Sequence, residues 1–197
     1  MATTLKVILL GESGVGKTTI VGKFTTGKFY EDLTTSLSTQ FISETILLEK
    51  LNQTIKFDIW DILGAYRFRS LAKTFYKDSD VICFCYDPTN KRSFEDIKDY
   101  WYEKEIKIEI ETDPILVIVA TKKDLEKKKE VEDEEGIAFA KEINGIFQST
   151  SAKSDISIKS LFENIARKYF DPSFDFNEIE NRKKKSKTKL ILIKIKS

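Results

Sequence analysis

The sequence contains no histidine and only two cysteines, and these shortages exclude several kinds of site. Protein zinc sites are built mainly from cysteine and histidine, so a zinc site would lack ligands here. Cys83 and Cys85 are two residues apart in an apolar stretch. On a strand both would face the same side, which does not allow a disulfide of good geometry between them. We therefore expect two reduced thiols in the core of a cytoplasmic protein.

Long apolar runs are also absent from the sequence. A membrane-spanning helix requires about 18 or more consecutive apolar residues, and no stretch approaches that length. The first residues do not show the basic and then apolar pattern of a secretory signal, so we expect neither a membrane span nor secretion. A chain of 197 residues suits one domain with an ordinary core, together with a tail.

The net charge is only +1, which argues against nucleic acid as a general partner. The charge is nevertheless unevenly distributed. Residues 182–197 contain eight of the 33 Lys and Arg residues and none of the 32 Asp and Glu residues. Subtracting the eight leaves 25 basic and 32 acidic residues, a net charge of −7, in residues 1–181. An acidic body with a basic end predicts an interaction tail.

The most informative feature present is a glycine-rich segment after a short apolar run. Residues 5–10 can form a buried strand, and residues 11–18, GESGVGKT, fit G-x-x-x-x-G-K-[ST] at every fixed position. The glycines let backbone N–H groups approach an anion, and a helix that begins near Lys17 adds the positive end of its dipole. The ammonium of Lys17 can reach the outer phosphates, and the hydroxyl of Thr18 can bind Mg²⁺. We therefore predict a phosphate site formed by Ser13, Gly14, Val15, Gly16, Lys17, Thr18 and Thr19.

Strand and helix patterns alternate along the rest of the chain. Residues 40–49 and 54–60 have the period of two that is typical of strands and predict a hairpin. Further strands are predicted at 81–86, 115–120 and from Phe147, and helices at about 17–26, from about 71, at 93–110, 133–143 and 155–169. The helix over 93–110 is expected to place Phe94, Ile97, Trp101 and Ile108 on one side. This order predicts an α/β fold with a mostly parallel six-stranded sheet flanked by helices.

Four candidate motifs follow predicted strands, at residues 11–18, 61–64, 121–124 and 149–153. In open α/β sheets, ligands bind beyond the carboxyl ends of the strands. The four motifs are therefore expected to meet at one edge of the sheet.

With these motifs the chain resembles a small GTPase of the Ras superfamily, most like the Rab branch, over residues 5 to about 170. Residues 60–64, WDILG, match the W-D-x-x-G element. Residues 121–124, TKKD, correspond to N-K-x-D, and residues 149–153, STSAK, correspond to E-T-S-A-K. Residues 67–70, RFRS, look like the Rab switch II signature. The resemblance implies a P-loop GTPase domain over residues 1–170, followed by a basic tail over 171–197.

Some residues instead look like the Rho branch, namely Trp101, Tyr102 and the threonine at 121. The resemblance implies GTP or GDP as ligand, with Mg²⁺ as cofactor. It implies that Ser36 and Gly64 also contact phosphate, and that Mg²⁺ is held by Thr18, Ser36 and Asp61. It implies a guanine site of Phe29, Thr121, Lys122, Asp124, Ser151, Ala152 and Lys153. An ordinary core role for Phe29 is equally consistent with the sequence.

Several positions depart from the family pattern. Ala65 stands where the family has the glutamine that orients the attacking water, so we assign no catalytic residue and expect slow GTP hydrolysis. Tyr66 has a hydroxyl but a different place on the loop. Ser36 keeps the hydroxyl of the usual switch I threonine, and Thr35 is a neighbouring candidate ligand. Thr121 replaces the usual asparagine and keeps a hydroxyl but not the amide, so guanine binding is expected to survive and to be weaker.

No cysteine follows Cys85, so the C-terminal prenylation typical of Rab proteins is not expected. The basic residues of 182–197 predict weak contact with anionic membranes, and a solvated tail is equally consistent with them. We expect a cytoplasmic protein that can associate peripherally with endomembranes.

Three functions are consistent with the sequence. The first is a GTP/GDP switch in vesicle traffic or related signalling, which contacts effectors and exchange factors through residues 30–40 and 62–75. The second is a GTPase-deficient scaffold that acts only by binding partners. The third is another P-loop enzyme, such as a small-molecule kinase, and Asp124 argues against it.

Overall fold

The computed structural model describes residues 3–30, 38–49, 51–64 and 69–174. Its strands are β1 (Thr3–Leu10), β2 (Gln40–Leu48), β3 (Gln53–Asp61), β4 (Val81–Tyr86), β5 (Ile115–Ala120) and β6 (Ile146–Ser149). Its α-helices are α1 (Lys17–Thr26), α2 (Arg69–Tyr76), α3 (Lys91–Asp96), α4 (Lys107–Glu109), α5 (Asp133–Glu142) and α6 (Ile158–Phe170). A π-helical segment (Ile97–Ile106) connects α3 to α4, and a 3₁₀ helix (Lys123–Lys128) lies in the predicted charged loop.

The six strands form one sheet in the order β2-β3-β1-β4-β5-β6. Only β2 and β3 pair in antiparallel fashion, as the predicted hairpin, and the other neighbouring strands are parallel. The predicted α/β fold with a mostly parallel six-stranded sheet is therefore confirmed. In the described part of the chain, no helix combines the length and apolar character needed to cross a membrane.

The central strands are apolar on both faces because helices cover both sides of the sheet. On one face Cys83 and Cys85 lie in a cluster with residues of α1 and α6. On the other face Ile82 and Phe84 pack with residues of α2, α3 and α5. Both cysteines are buried and free, as the sequence predicted. Packing on both faces fixes the register of the strands and thus the positions of the loops at their ends.

The helix predicted over 93–110 forms, but its buried side differs from the prediction. Ile97 and Trp101 are buried, whereas Ile108 is 69% exposed and Ile106 is buried in its place. The reason is the π-helical segment, whose wider turns change which side chains face the core. Glu105 is consequently buried as well, at 8% exposed.

The last helix begins at Ile158, three residues later than predicted. Ser151 and Ile156 exchange two backbone hydrogen bonds, of 3.0 and 2.8 Å, so the chain makes a closed turn before the helix. Asp155 and Ser157 have positive φ angles of 55° and 59°, which do not permit an α-helix at these positions.

Candidate functional site

The loop between β1 and α1 wraps around the side chain of Lys17. Gly14 and Gly16 have φ angles of +79° and +105°, which residues other than glycine rarely adopt. Lys17 Nζ donates to the carbonyl oxygens of Gly11 at 2.8 Å and Glu12 at 2.9 Å. Lys17 is only 6% exposed. Burial lowers its pKa, and nearby negative groups, Asp61 foremost, counteract this. The result is a concave backbone with a buried ammonium, which is suited to phosphate.

The predicted phosphate-contacting residues differ in how they meet this loop. Gly64 packs directly on it, since a Cβ at Gly64 would lie 2.5 Å from the Ser13 backbone nitrogen. Ser13 is exposed, whereas the Val15 side chain is buried in the core. Val15 can therefore offer only its backbone to a ligand. The predicted ligand Ser36 lies outside the described residues.

Thr18 and Asp61 meet at the start of α1 and the end of β3. The Thr18 hydroxyl donates a short hydrogen bond to Asp61 Oδ2, while Asp61 Oδ1 is buried without a hydrogen-bond partner. Burial raises the pKa of this carboxyl, and the Thr18 hydrogen bond and Lys17 limit the rise. Mg²⁺ prefers hard oxygen ligands and satisfies buried carboxylate oxygens. These two side chains therefore fit the predicted cation.

The described residues contain no cluster of three or more acidic, cysteine or histidine side chains that could enclose a metal. A site with two protein oxygens fits Mg²⁺, which usually keeps several waters and also binds the phosphates of its substrate. Water molecules and the phosphates of a ligand would complete the coordination.

A cavity of about 320 Å³ opens beside the loop. This volume is in the range of small-molecule sites. Six of the seven predicted guanine-binding residues line it: Phe29, Thr121, Lys122, Asp124, Ala152 and Lys153. Gly14, Gly16 and Thr19, predicted to contact phosphate, also line it. One end of the cavity is thus formed by the phosphate loop and the other by the loops after β5 and β6.

Sequence analysis missed Ile20, Tyr30 and Leu125, which also line the cavity. Tyr30 and Leu125 are the direct neighbours of the predicted Phe29 and Asp124, and this adjacency was the available signal. Ile20 fits the apolar side of a helix and gives no separate indication of contact with a ligand.

Ser151 does not line the cavity but holds Asp124. Its hydroxyl donates to Asp124 Oδ1 at 2.5 Å and accepts from the Ser154 N–H at 3.1 Å. The Lys123 N–H donates to the Thr150 carbonyl at 2.9 Å, which ties the two loops together. The Asp124 carboxylate is therefore oriented at the mouth of the cavity before any ligand binds.

Thr121 is buried at the junction of three segments. Its hydroxyl lies 2.6 Å from the Val15 carbonyl and 3.0 Å from the Tyr86 carbonyl, and its N–H donates to the same Tyr86 oxygen. A hydroxyl has a single proton, so these two backbone oxygens compete for it. The side chain lines the cavity, but its proton is directed at the phosphate loop and β4.

The Lys122 side chain lines the cavity, and its ammonium donates hydrogen bonds to acceptors on two other segments. Nζ donates to the Gly14 carbonyl at 2.9 Å and to Asp87 Oδ2 at 2.6 Å. Its backbone is left-handed, with φ at 48° and ψ at 37°. Asp87 directly follows β4 and is a further residue that the sequence analysis did not assign. The signal was its place at the end of a buried strand, at the edge where the other motifs meet.

Ala65 and Tyr66, on which the expectation of slow hydrolysis rests, lie outside the described residues. The basic residues of 182–197 lie outside them as well. In a comparison with protein families, the model of the Ras family matches residues 6–171. This range includes the phosphate loop, the cavity and all of the sheet except the first three residues of β1.

Proposed function

Because the chain belongs to the Ras family, it is a small GTPase that binds guanine nucleotide as a switch, and we propose that it is a Rab-like member with slow intrinsic hydrolysis. Members of the family bind GTP or GDP together with Mg²⁺ and are read by regulators and effectors. The finer assignment, to vesicle traffic or related signalling, rests on the resemblance of residues 60–64 and 67–70 to the Rab branch.

The observation that carries the proposal is that one cavity is lined both by Asp124 and by Gly14 and Gly16 of the phosphate loop, the loop that encloses the ammonium of Lys17. A carboxylate can accept two hydrogen bonds, from the ring N–H and the exocyclic amine of guanine. Adenine lacks this donor pattern, so Asp124 favours guanine. At the other end, the ammonium of Lys17 and the N–H groups of the loop attract the phosphates.

The remaining residues supply positioning and charge. Thr18 and Asp61 would hold Mg²⁺, which neutralises charge on the outer phosphates when bound. Gly64 packs on the loop closely enough for its N–H to approach the terminal phosphate. A nucleoside triphosphate has the terminal phosphate that would lie near Gly64, whereas a diphosphate lacks it. This difference allows the bound nucleotide to change the conformation of the segment that follows Gly64.

A row of three aromatic side chains supports recognition by partners. Phe41 and Trp60 have ring centroids 4.9 Å apart, and Trp60 and Phe75 have centroids 5.3 Å apart. Phe41 is 52% exposed. The row joins β2 and β3 to α2, between the two segments expected to contact effectors and exchange factors. Aromatic side chains are enriched at protein interfaces, and the exposed Phe41 lies at the end of the row that solvent reaches.

Slow hydrolysis follows from Ala65, whose methyl group cannot orient a water molecule. Lys17 and the loop still stabilise charge in the transition state, so residual turnover is expected. If that turnover is absent, the second candidate applies, a scaffold that stays in one nucleotide state and acts by binding partners.

We further propose that residues 1–170 form the nucleotide-binding domain and that residues 171–197 form a basic tail. The eight basic residues of 182–197 would give weak, salt-sensitive contact with anionic membranes, each contributing about 1 kcal/mol at most. The protein would then be cytoplasmic and reach endomembranes peripherally.

Titration calorimetry with Mg²⁺ and each of GDP, GTP, ADP and ATP tests the proposed ligand. We expect GDP and GTP to bind at least a hundredfold more tightly than ADP and ATP, as about 3 kcal/mol from two hydrogen bonds to a charged acceptor would give. Asp124→Ala should reduce this preference, and Lys17→Ala should weaken all four ligands. Equal affinity for ADP and GDP would contradict the proposal.

A further inference from the structure

Asp87 is buried and makes several hydrogen bonds, although it has no role in the nucleotide binding and hydrolysis proposed above. It is 7% exposed. Its Oδ1 accepts from the Thr89 N–H at 2.9 Å and from the Thr89 hydroxyl at 2.7 Å. Its own N–H donates to the Ser93 hydroxyl at 3.0 Å. The Asp87 side chain therefore has a fixed orientation, with Oδ2 directed at Lys122.

Asp87 and Lys122 form a short ion pair, with 2.6 Å between Asp87 Oδ2 and Lys122 Nζ. The two side chains are 10% and 35% exposed, so the pair is shielded from solvent on the Asp87 side. Pairs of this kind are charge-assisted and stronger than exposed ones. Nζ also donates to the Gly14 carbonyl, so the Lys122 ammonium is held by two acceptors, one after β4 and one in the phosphate loop.

We infer that Asp87 is a positioning residue for nucleotide binding, acting through Lys122. The inference rests on guanine nucleotide binding in this cavity, as proposed above. With the ammonium anchored, the aliphatic stem of Lys122 forms a wall of the cavity and covers the bound base. Without Asp87, the Lys122 ammonium would keep only the Gly14 carbonyl of these two acceptors. The flexible methylene stem would then spend part of its time in conformations that do not cover the base.

The pair also explains how a lysine can serve as an apolar wall. The carboxylate balances the charge of Lys122, so the residue contributes its methylene groups while its charge is already compensated. It also connects the end of β4 to the phosphate loop through Gly14. Loss of Asp87 is therefore expected to speed nucleotide release without changing which base is preferred, since Asp124 sets that preference.

The test measures dissociation of fluorescently labelled GDP from the full chain with Mg²⁺, by stopped flow. The variants are Asp87→Asn, which keeps the shape but removes the charge, Lys122→Met, which keeps the stem but removes the ammonium, and the double variant. Glu103→Gln is the matched control, since it breaks an exposed ion pair of 2.9 Å with Lys107 away from the cavity. Melting temperatures are recorded for all variants.

We expect Asp87→Asn to release GDP about tenfold faster, as loss of a charge-assisted contact of about 1.4 kcal/mol would give. Lys122→Met should give a similar increase, and adding Asp87→Asn to it should have no further effect. Glu103→Gln should release GDP at the rate of the unmodified protein. A merely structural role for Asp87 would persist in the Lys122→Met background, so a further acceleration there would overturn the inference.

Unchanged release from both single variants would overturn it as well. If Asp87→Asn does not fold, Asp87→Glu, which keeps the carboxylate but displaces it from Lys122 by one methylene group, takes its place in the same comparison with and without Lys122→Met. The proposed function fails separately, if the unmodified protein shows no preference for GDP over ADP.

Discussion

The hydroxyl of Tyr76 joins the end of α2 to a buried carboxylate in the π-helical segment. It donates to Glu105 Oε2 at 2.8 Å, and Tyr76 and Glu105 are 2% and 8% exposed. Lys73 Nζ lies 3.6 Å from the same oxygen. Burial, followed by the hydrogen bond to Glu105, raises the pKa of the Tyr76 hydroxyl, so the phenol keeps its proton and remains a donor at neutral pH.

Tyr76→Phe removes this donor and leaves the aromatic ring in place. A hydrogen bond to a charged group contributes about 1.5–3 kcal/mol, and in the variant the Glu105 carboxylate would still have the more distant ammonium of Lys73. We therefore expect the free energy of unfolding to fall by about 2 kcal/mol. In a chain of this size each kcal/mol changes the Tm by about 2–4 °C, so the Tm should fall by about 4–8 °C.

Thermal unfolding followed by circular dichroism, at saturating GDP and Mg²⁺, measures this change. Tyr169→Phe is the matched control, because Tyr169 is 42% exposed on α6 and should shift the free energy of unfolding by at most about 0.5 kcal/mol. If both variants melt at the temperature of the unmodified protein, the Tyr76 hydroxyl does not stabilise the docking of α2, and our account of the buried Glu105 is wrong.

Three further predictions concern the core, the catalytic step and the tail. Burial raises the pKa of Cys83 and raises that of Cys85 to about 12, so at pH 8 the folded protein has far less reactive thiolate than the unfolded chain. A thiol reagent should therefore label neither cysteine until denaturant is added, and labelling of the native protein would contradict this. Single-turnover hydrolysis of GTP should proceed at or below about 10⁻⁴ s⁻¹ and rise modestly in Ala65→Gln; a fast unmodified protein that this substitution does not change would show that another group orients the water. Flotation with anionic liposomes should recover the full chain at low but not at high salt, and recovery equal to that of a chain ending at Asn181 would refute contact through the tail.

Much of the fold could be predicted because the strands carry strong local patterns. The strand over 81–86 is a continuous apolar run, as expected where helices cover both faces, and the hairpin of β2 and β3 alternates. The phosphate loop was predictable for a different reason. Its glycines, lysine and threonine are required at fixed spacing by phosphate itself, so tertiary context adds little.

The phase of the long helix could not be predicted, because a π-helical segment depends on tertiary packing. An α-helical period places Ile108 in the core, whereas the structure buries Glu105 and Ile106. The buried carboxylate is stabilised here from another helix, where Tyr76 donates a hydrogen bond to it and Lys73 supplies a positive charge. Tyr76 is 29 residues away in sequence, and a local pattern does not reveal it.

In the candidate site too, the residues of local motifs could be predicted, whereas the tertiary contacts between them could not. Asp124 could be assigned from a motif, but its hydrogen bond from Ser151 and the ion pair of Lys122 with Asp87 join residues 27 and 35 positions apart. Such contacts depend on which strands become neighbours in the sheet. Sequence analysis therefore identified groups that would contact a ligand and missed the contacts that hold them in place.

The most direct test of our central claim, that the cavity binds guanine nucleotide, is to identify what the purified protein carries. The full chain is purified in the presence of Mg²⁺ and denatured, and the released nucleotide is identified and quantified by chromatography. We predict close to one guanine nucleotide per chain, with a substantial share of GTP because hydrolysis is slow. Recovery of adenine nucleotide, or of no nucleotide from a protein that also fails to bind added GDP, would contradict the claim.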